Sequence, residues 1–232
     1  MSSRPDEELR ALAAAADDVL AGADADTVLA WAAAEFGRRL VVTSSMADGV
    51  LPHLVSQHVP GVDVVFIDTG YHFAETLGTR DQVAWELDVR VVTVEPERTV
   101  AAQDAFLGAR LHERDPETCC RLRKVEPLRR ALAAYDAWVT GVRRDETAHR
   151  AGTPLVAWDE RNRVVKIAPL VAWSDDDLFA YAERHRVPVN PLLAEGYPSI
   201  GCAPCTRPVA PGSDPRSGRW VGFAKTECGL HR

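Results

Sequence analysis

The stretch RLVVTSSMADGVLPHLVSQHVPGVDVVFIDTGYHFAETLGTRDQVAWELDVRVVTV, residues 39–94, decides the fold. It contains three β-branched runs: RLVVTS at 39–44, VDVVFID at 62–68 and VRVVTV at 89–94. The segments between them, around residues 51–58 and 75–87, are long enough for helices. Strands that alternate with helices build parallel pairs, because each crossover helix returns the chain to the same end of the sheet. A fourth run, DAWVTG at 136–141, follows further helical stretches around 100–109 and 122–134, and RVVKIAPL at 163–170 reads as one more strand. The expected fold is therefore α/β, a doubly wound and mostly parallel sheet. Ligands of such sheets bind beyond the carboxyl ends of the strands, which selects the loops at 43–49, 68–72, around Glu95, and at 141–150.

On the amino-terminal side, residues 6–36 read as two Ala-rich helices that stop at Gly37. On the other side, SDDDLFAYAERH at 174–185 reads as a helix, with Ser174 and Asp177 forming a capping box. From Val187 the chain is rich in Pro and Gly, which predicts an irregular lobe over the mouth of the sheet, ending in a mobile tail. Three segments are expected: helices packing on the core (1–38), the α/β core (39–186), and the lobe with its tail (187–232).

A chain of 232 residues that is 46% hydrophobic can bury a full core. Its net charge of −7 argues against nucleic-acid or anionic-membrane binding by the surface as a whole, so a basic site must be local. No apolar run approaches bilayer length, and the start MSSRPDEELR lacks the basic flank and apolar core of a secretory signal. A cytoplasmic protein is expected. Whether it forms a homo-oligomer is left open by the sequence.

The five cysteines are the most specific feature. Cys119 and Cys120 are adjacent in ETCCRLRK, and Cys202 and Cys205 form a C-x-x-C in SIGCAPCTRP. Both pairs are followed by cations: Arg121, Arg123 and Lys124 after the first, and Arg207, Arg216 and Arg219 after the second. This pattern fits one metal centre with four thiolate ligands beside a site for an anionic substrate, rather than a disulfide framework. Zinc is the alternative to iron and sulfide. Adjacent cysteines are awkward around a single tetrahedral ion, whereas a cubane offers each thiolate its own iron corner. Cys228, in KTECGLH with Glu227 and His231 nearby, is then left for nucleophilic chemistry.

The selected loops carry weaker signals. VVTSSMADG places Ser44, Ser45 and Asp48 between a strand and a helix; the arrangement suits a nucleotide anion or ribose, and by itself reads first as an ordinary helix cap. FIDTGYHFAET offers Asp68, Thr69 and Gly70 to ribose or adenine edges, or makes a simple turn. GVRRDETAHR supplies Gly141, Arg143, Arg144 and Arg150; three guanidinium groups in one loop favour a phosphate-type anion.

Taken together, CCRLRKVEPL, IGCAPCTRPV, the GRW turn and the terminal ECGLH resemble the assimilatory adenosine 5′-phosphosulfate (APS) reductases, relatives of the 3′-phosphorylated (PAPS) reductases. The resemblance runs from about the first strand to the last residue. It implies a fold of the adenine nucleotide alpha hydrolase, ATP pyrophosphatase-like kind. It also implies a [4Fe–4S] cluster on Cys119, Cys120, Cys202 and Cys205. Cys228 would attack the sulfur of APS, expel AMP and leave an S-sulfocysteine, which thioredoxin would reduce to release sulfite. Lys124, Arg216 and Arg219 would face the phosphosulfate, and Arg144 and Arg150 would join the nucleotide site. PAPS reductases keep ECGLH but generally lack the cysteine pairs, which tilts the implied substrate to APS. Residues 44–48 stand where ATP pyrophosphatases carry Ser-Gly-Gly-x-Asp-Ser. This chain lacks the glycine pair, so nucleotidyl transfer or tRNA thiolation is the weaker reading.

Overall fold

A computed structural model of the chain describes residues 4–230, so residues 1–3 and, within ECGLH, His231 lie outside the described residues. Helices α1 (Asp6–Val19) and α2 (Ala25–Phe36) precede the sheet. Then come β1 (Leu40–Thr43), α3 (Val50–Ser56), β2 (Val62–Ile67), α4 (Ala74–Glu86), β3 (Val89–Val94) and α5 (Val100–Leu107). Two short helices, α6 (Leu111–Arg114) and α7 (Pro116–Cys120), lead through a π-helical turn at Arg121–Val125 into α8 (Glu126–Leu132). β4 (Ala137–Thr140), β5 (Val156–Asp159), β6 (Val164–Ile167) and α9 (Asp175–His185) complete the regular elements of the described residues.

The sheet order is β3-β2-β1-β4-β6-β5, parallel throughout except for β5 against β6. From β1 the chain winds outward to β3, then crosses to β4 on the other side of β1. The strand order thus reverses between β1 and β4, and the loops after these two strands diverge there to leave a crevice. Alternation along the strands makes the layers. Leu40, Val42, Val64, Phe66, Ala137 and Val139 face a core shared with α1, α2, α3 and α9, while Val41, Val65 and Trp138 face Leu128 and Leu132 of α8. Leu132 is fully buried in this second cluster. Leu132→Ala is therefore expected to cost about 2–5 kcal/mol, read as a lower denaturant midpoint at unchanged slope.

The capping box at Ser174 and Asp177 forms as expected, with the Ser174 hydroxyl accepting from the Asp177 amide at 3.1 Å and the Ser174 amide donating to the Asp177 carboxylate at 2.8 Å. The antiparallel strand β5 is not among the strands read from the sequence. Its hairpin with β6 is made by Asp159, whose carboxylate accepts from the Arg161 and Asn162 amides at 3.1 Å, and by Arg163 at φ 57°. α1 covers this edge, with Asp17 accepting from the Val156 amide at 3.2 Å. The helix expected at 122–134 begins earlier, at Pro116, so both adjacent cysteines sit on it. Its π-helical turn lies just before Pro127, whose missing amide interrupts a regular ladder.

Candidate active site

Cys119 and Cys120 end α7, which starts at Pro116 and is capped by the Asp115 carboxylate accepting from the Thr118 amide at 2.9 Å. Cys202 and Cys205 flank a tight turn fixed by three bonds. The Ala203 amide donates to the Tyr71 carbonyl at 2.7 Å, and the Cys205 amide and Thr206 hydroxyl both donate to the Cys202 carbonyl at 2.9 Å. The four thiols line one cavity together with Lys124 and Trp220. Among the described residues no three His, Cys, Asp or Glu side chains close on a single ion; the four cysteines share the lining of the cavity instead. Thr69 lies 3.3 Å from the Cys202 sulfur.

Burial, with Cys120, Cys202 and Cys205 adding to it, pushes the Cys119 thiol up to about 12. Burial and then Cys202 push Cys205 up to about 11, and burial also raises Cys120. Left to themselves these sulfurs hold their protons. A soft metal centre that draws the protons off is the chemistry the donor set fits.

The cations stand on one side of the sulfurs. Burial opposes the charge on Lys124, but Cys202, Cys228 and Cys120 hold its pKa above the usual lysine range. Burial lowers Arg219, with Cys228 acting in the opposite sense. The Arg219 guanidinium donates to the Ser199 hydroxyl at 3.1 Å and the Ile200 carbonyl at 3.2 Å, and lies 4.6 Å from the centre of the Trp220 ring. It passes so close over Gly201 that a Cβ there would overlap it, so a larger residue at 201 would displace the guanidinium from this position.

The tail is docked. Lys225 pairs with Glu117 of α7 at 2.7 Å, its ammonium 5.4 Å from the Trp220 ring centre. The Glu227 carboxylate accepts from Arg150 twice, at 2.9 and 2.8 Å, from Arg216 at 3.3 Å and from the Thr147 hydroxyl at 3.3 Å. Burial acts to raise Glu227, but Arg150 and Arg216 hold it below the usual carboxylate range. Arg216 also donates to the Thr226 carbonyl at 2.9 Å, and Arg161 to the Gly229 carbonyl at 2.8 Å. Leu230 packs on the cluster around Leu128 and Trp138. Between these anchors Cys228 is half-buried, in electrostatic reach of Cys120, Lys124 and Arg219.

The structure thus gathers Cys119, Cys120, Cys202, Cys205, Cys228, Lys124, Arg216 and Arg219. The loop residues are used differently from one another. The Thr69 hydroxyl contacts Cys202 rather than standing open to a ribose, and its carbonyl accepts from Arg123 at 2.5 Å. Asp68 closes its own turn by accepting from the Gly70 amide at 2.9 Å, with Gly70 at φ 71°. Ser44 accepts from the Met46 amide at 3.1 Å, and Ser45 is exposed. Asn190 and Pro188 seal this loop through the Ala47 and Met46 carbonyls and the Gly49 amide, and the buried Met46 itself adopts φ 59°. Gly141 is exposed after β4, Arg144 donates to the Thr153 carbonyl at 2.8 Å, and Arg150 is committed to Glu146 and Glu227.

Sequence reasoning missed Lys225 and the role of Glu227. Their only sequence signal is their place in KTECGLH; the partners lie far away in the chain.

The phosphoadenosine phosphosulfate reductase domain matches residues 39–208. An adenosine 5′-phosphosulfate reductase of Streptomyces coelicolor is 58% identical over 98% of this chain and 97% of its own length. That of Mycolicibacterium smegmatis is 55% identical over 100% and 98%. A crystal structure of phosphoadenylyl-sulfate (PAPS) reductase from Candida auris, a phosphate complex, superposes with a TM-score of 0.70 at 27% identity, covering 85% of this chain and 96% of that one. A domain match spanning the sheet and its cysteine turn, with relatives this similar end to end, means that the chain belongs to the phosphoadenosine phosphosulfate reductase family.

Proposed function

We propose that the chain reduces adenosine 5′-phosphosulfate to sulfite and AMP in sulfate assimilation, feeding cysteine biosynthesis. The observation that carries this reading is the convergence of two cysteine pairs on one cavity with a fifth thiol, Cys228, docked beside Lys124 and Arg219. The Cys228 thiolate attacks the sulfate sulfur. The bridging oxygen leaves with its electron pair as the phosphate of AMP, and Cys228 carries an S-sulfonate. A thiolate of thioredoxin then attacks the Cys228 sulfur and expels sulfite with the S–S electron pair. The second thioredoxin thiol resolves the mixed disulfide and frees Cys228. Lys124 and Arg219 stabilise the anionic oxygens and the developing charge on the leaving phosphate.

Cys119, Cys120, Cys202 and Cys205 fit a [4Fe–4S] cluster: soft donors around a cavity, with a Thr69 hydroxyl on one sulfur and Lys124 beside them. When bound, the cluster supplies covalent ties between α7 and the turn at Cys202 and a compact charge next to Lys124. Three parts divide the work: helices that pack on the core (1–38), the nucleotide-binding core (39–186), and the lobe and tail (187–232). A reducing cytoplasm suits these thiols; among the described residues no helix is long and apolar enough to cross a membrane.

The test is thioredoxin-coupled sulfite release from APS, with PAPS as the competing substrate. Release from PAPS alone would overturn the substrate assignment. Arg219→Ala is expected to weaken APS binding by about one to two orders of magnitude through loss of a charge-assisted contact. AMP binding falls with it if the contact is to phosphate and holds if it is to sulfate. Unchanged affinity for both would place Arg219 outside the site.

A further inference from the structure

We propose that Glu227 is the positioning residue that sets Cys228 against the substrate, and that Arg150, with one edge of Arg216, is its receptor in the fold rather than a ligand for the substrate anion. The inference rests on the reading of Cys228 as nucleophile. Glu227 is the residue immediately before Cys228, and its side chain is 4% exposed. A carboxylate buried to that degree is costly unless paired. Here it receives a two-pronged contact from Arg150 at 2.9 and 2.8 Å, with Arg216 and Thr147 each at 3.3 Å. Arg150 is itself buried and holds Glu146 with the remaining nitrogen, so each of its three guanidinium nitrogens has a carboxylate partner. Arg216 adds a bond to the Thr226 carbonyl at 2.9 Å, which fixes the backbone on the amino-terminal side of Cys228, while Arg161 fixes the Gly229 carbonyl on the other.

The cations at Cys228 are thereby sorted. Lys124 and Arg219 lie within electrostatic reach of the sulfur and meet no carboxylate among the described residues, so they are the ones left to meet an anion. A nucleophile on a chain end gains its rate from being held at the reacting atom, and loss of an oriented contact lowers the reaction step without weakening the binding of a ligand that does not need the tail.

The experiment is single-turnover AMP release from APS by cluster-loaded Glu227→Gln, with AMP affinity measured separately. The expected result is AMP release slowed about tenfold to hundredfold, while AMP affinity and iron content stay at wild-type values. Trypsin cleavage after Lys225, which the docked tail buries, is expected to accelerate in the same variant. Thr147→Val removes one contact without unpairing a charge, and gives the same slowing at about twofold to tenfold should Glu227→Gln fold poorly. Tighter AMP or APS binding in Glu227→Gln would overturn the inference, because Glu227 would then be a competing anion on substrate-binding arginines. Normal AMP release in both variants would overturn it as well. If Cys228→Ser is inactive in the same assay, only the positioning role has failed; if Cys228→Ser still turns over, the parent reading has failed.

Discussion

Cys228→Ser is expected to abolish sulfite release while leaving iron content and AMP binding intact. The four other thiols line one cavity, and burial pushes Cys119, Cys120 and Cys205 toward their protonated forms, whereas Cys228 stands outside that lining beside Lys124 and Arg219. A serine hydroxyl has neither the polarisability nor the ionisation of a thiol, so the substituted enzyme keeps its cations and loses its nucleophile. Removal of a nucleophile elsewhere costs on the order of 10⁶-fold in turnover, so activity falls to background. In the wild-type protein, APS without thioredoxin is expected to release one equivalent of AMP and add a sulfonate to the peptide carrying Cys228. Reduced thioredoxin then releases sulfite and restores the thiol. Near-normal turnover in Cys228→Ser, or a sulfonate on another cysteine, would refute the mechanism.

Cys202→Ser is expected to carry the next largest effect, because in the proposed cluster its sulfur would tie α7 to the turn that carries Cys202 and Cys205. α7 brings Cys119 and Cys120, and the turn carrying Cys202 and Cys205 touches the core chiefly through the Tyr71 carbonyl and Thr69. Loss of one soft donor is expected to lower iron and sulfide content and the visible absorbance of the cluster. The melting temperature falls too, by about 2–4 °C for each kcal/mol of metal-linked stability in a chain of this size. If both pairs serve one centre, Cys119→Ser combined with Cys202→Ser will cost little more than either alone. Additive losses would mean two separate sites, and full iron with native melting in Cys202→Ser would remove that residue from the ligand set.

Much of the fold was legible because its determinants are local. The runs at 39–44, 62–68, 89–94 and 136–141 are short and rich in β-branched residues, and the sheet uses all four; β1, β2 and β4 are largely buried, as strands covered by helices on each side are, while the edge strand β3 leaves Arg90 and Thr93 exposed. The Ser174 and Asp177 box was readable for the same reason, since a cap is satisfied within one turn. β5 was not, because VAWD has no periodicity of its own and becomes a strand only through pairing with β6 and cover from α1.

The chain by itself determined which residue types could do chemistry: two cysteine pairs, a lone terminal thiol and their neighbouring cations, all set by identity and spacing. Only the tertiary structure decided how the arginines divide. Arg150 and Arg219 are alike as residues, but Arg150 is buried against Glu146 and Glu227, whereas Arg219 crosses Gly201 and meets no carboxylate among the described residues. Glu227 lies 77 residues from Arg150, and no local pattern encodes a pairing over that separation. It arises because the fold returns the tail to the loop that follows β4, where a buried carboxylate must find a cation and a buried cation must find a carboxylate.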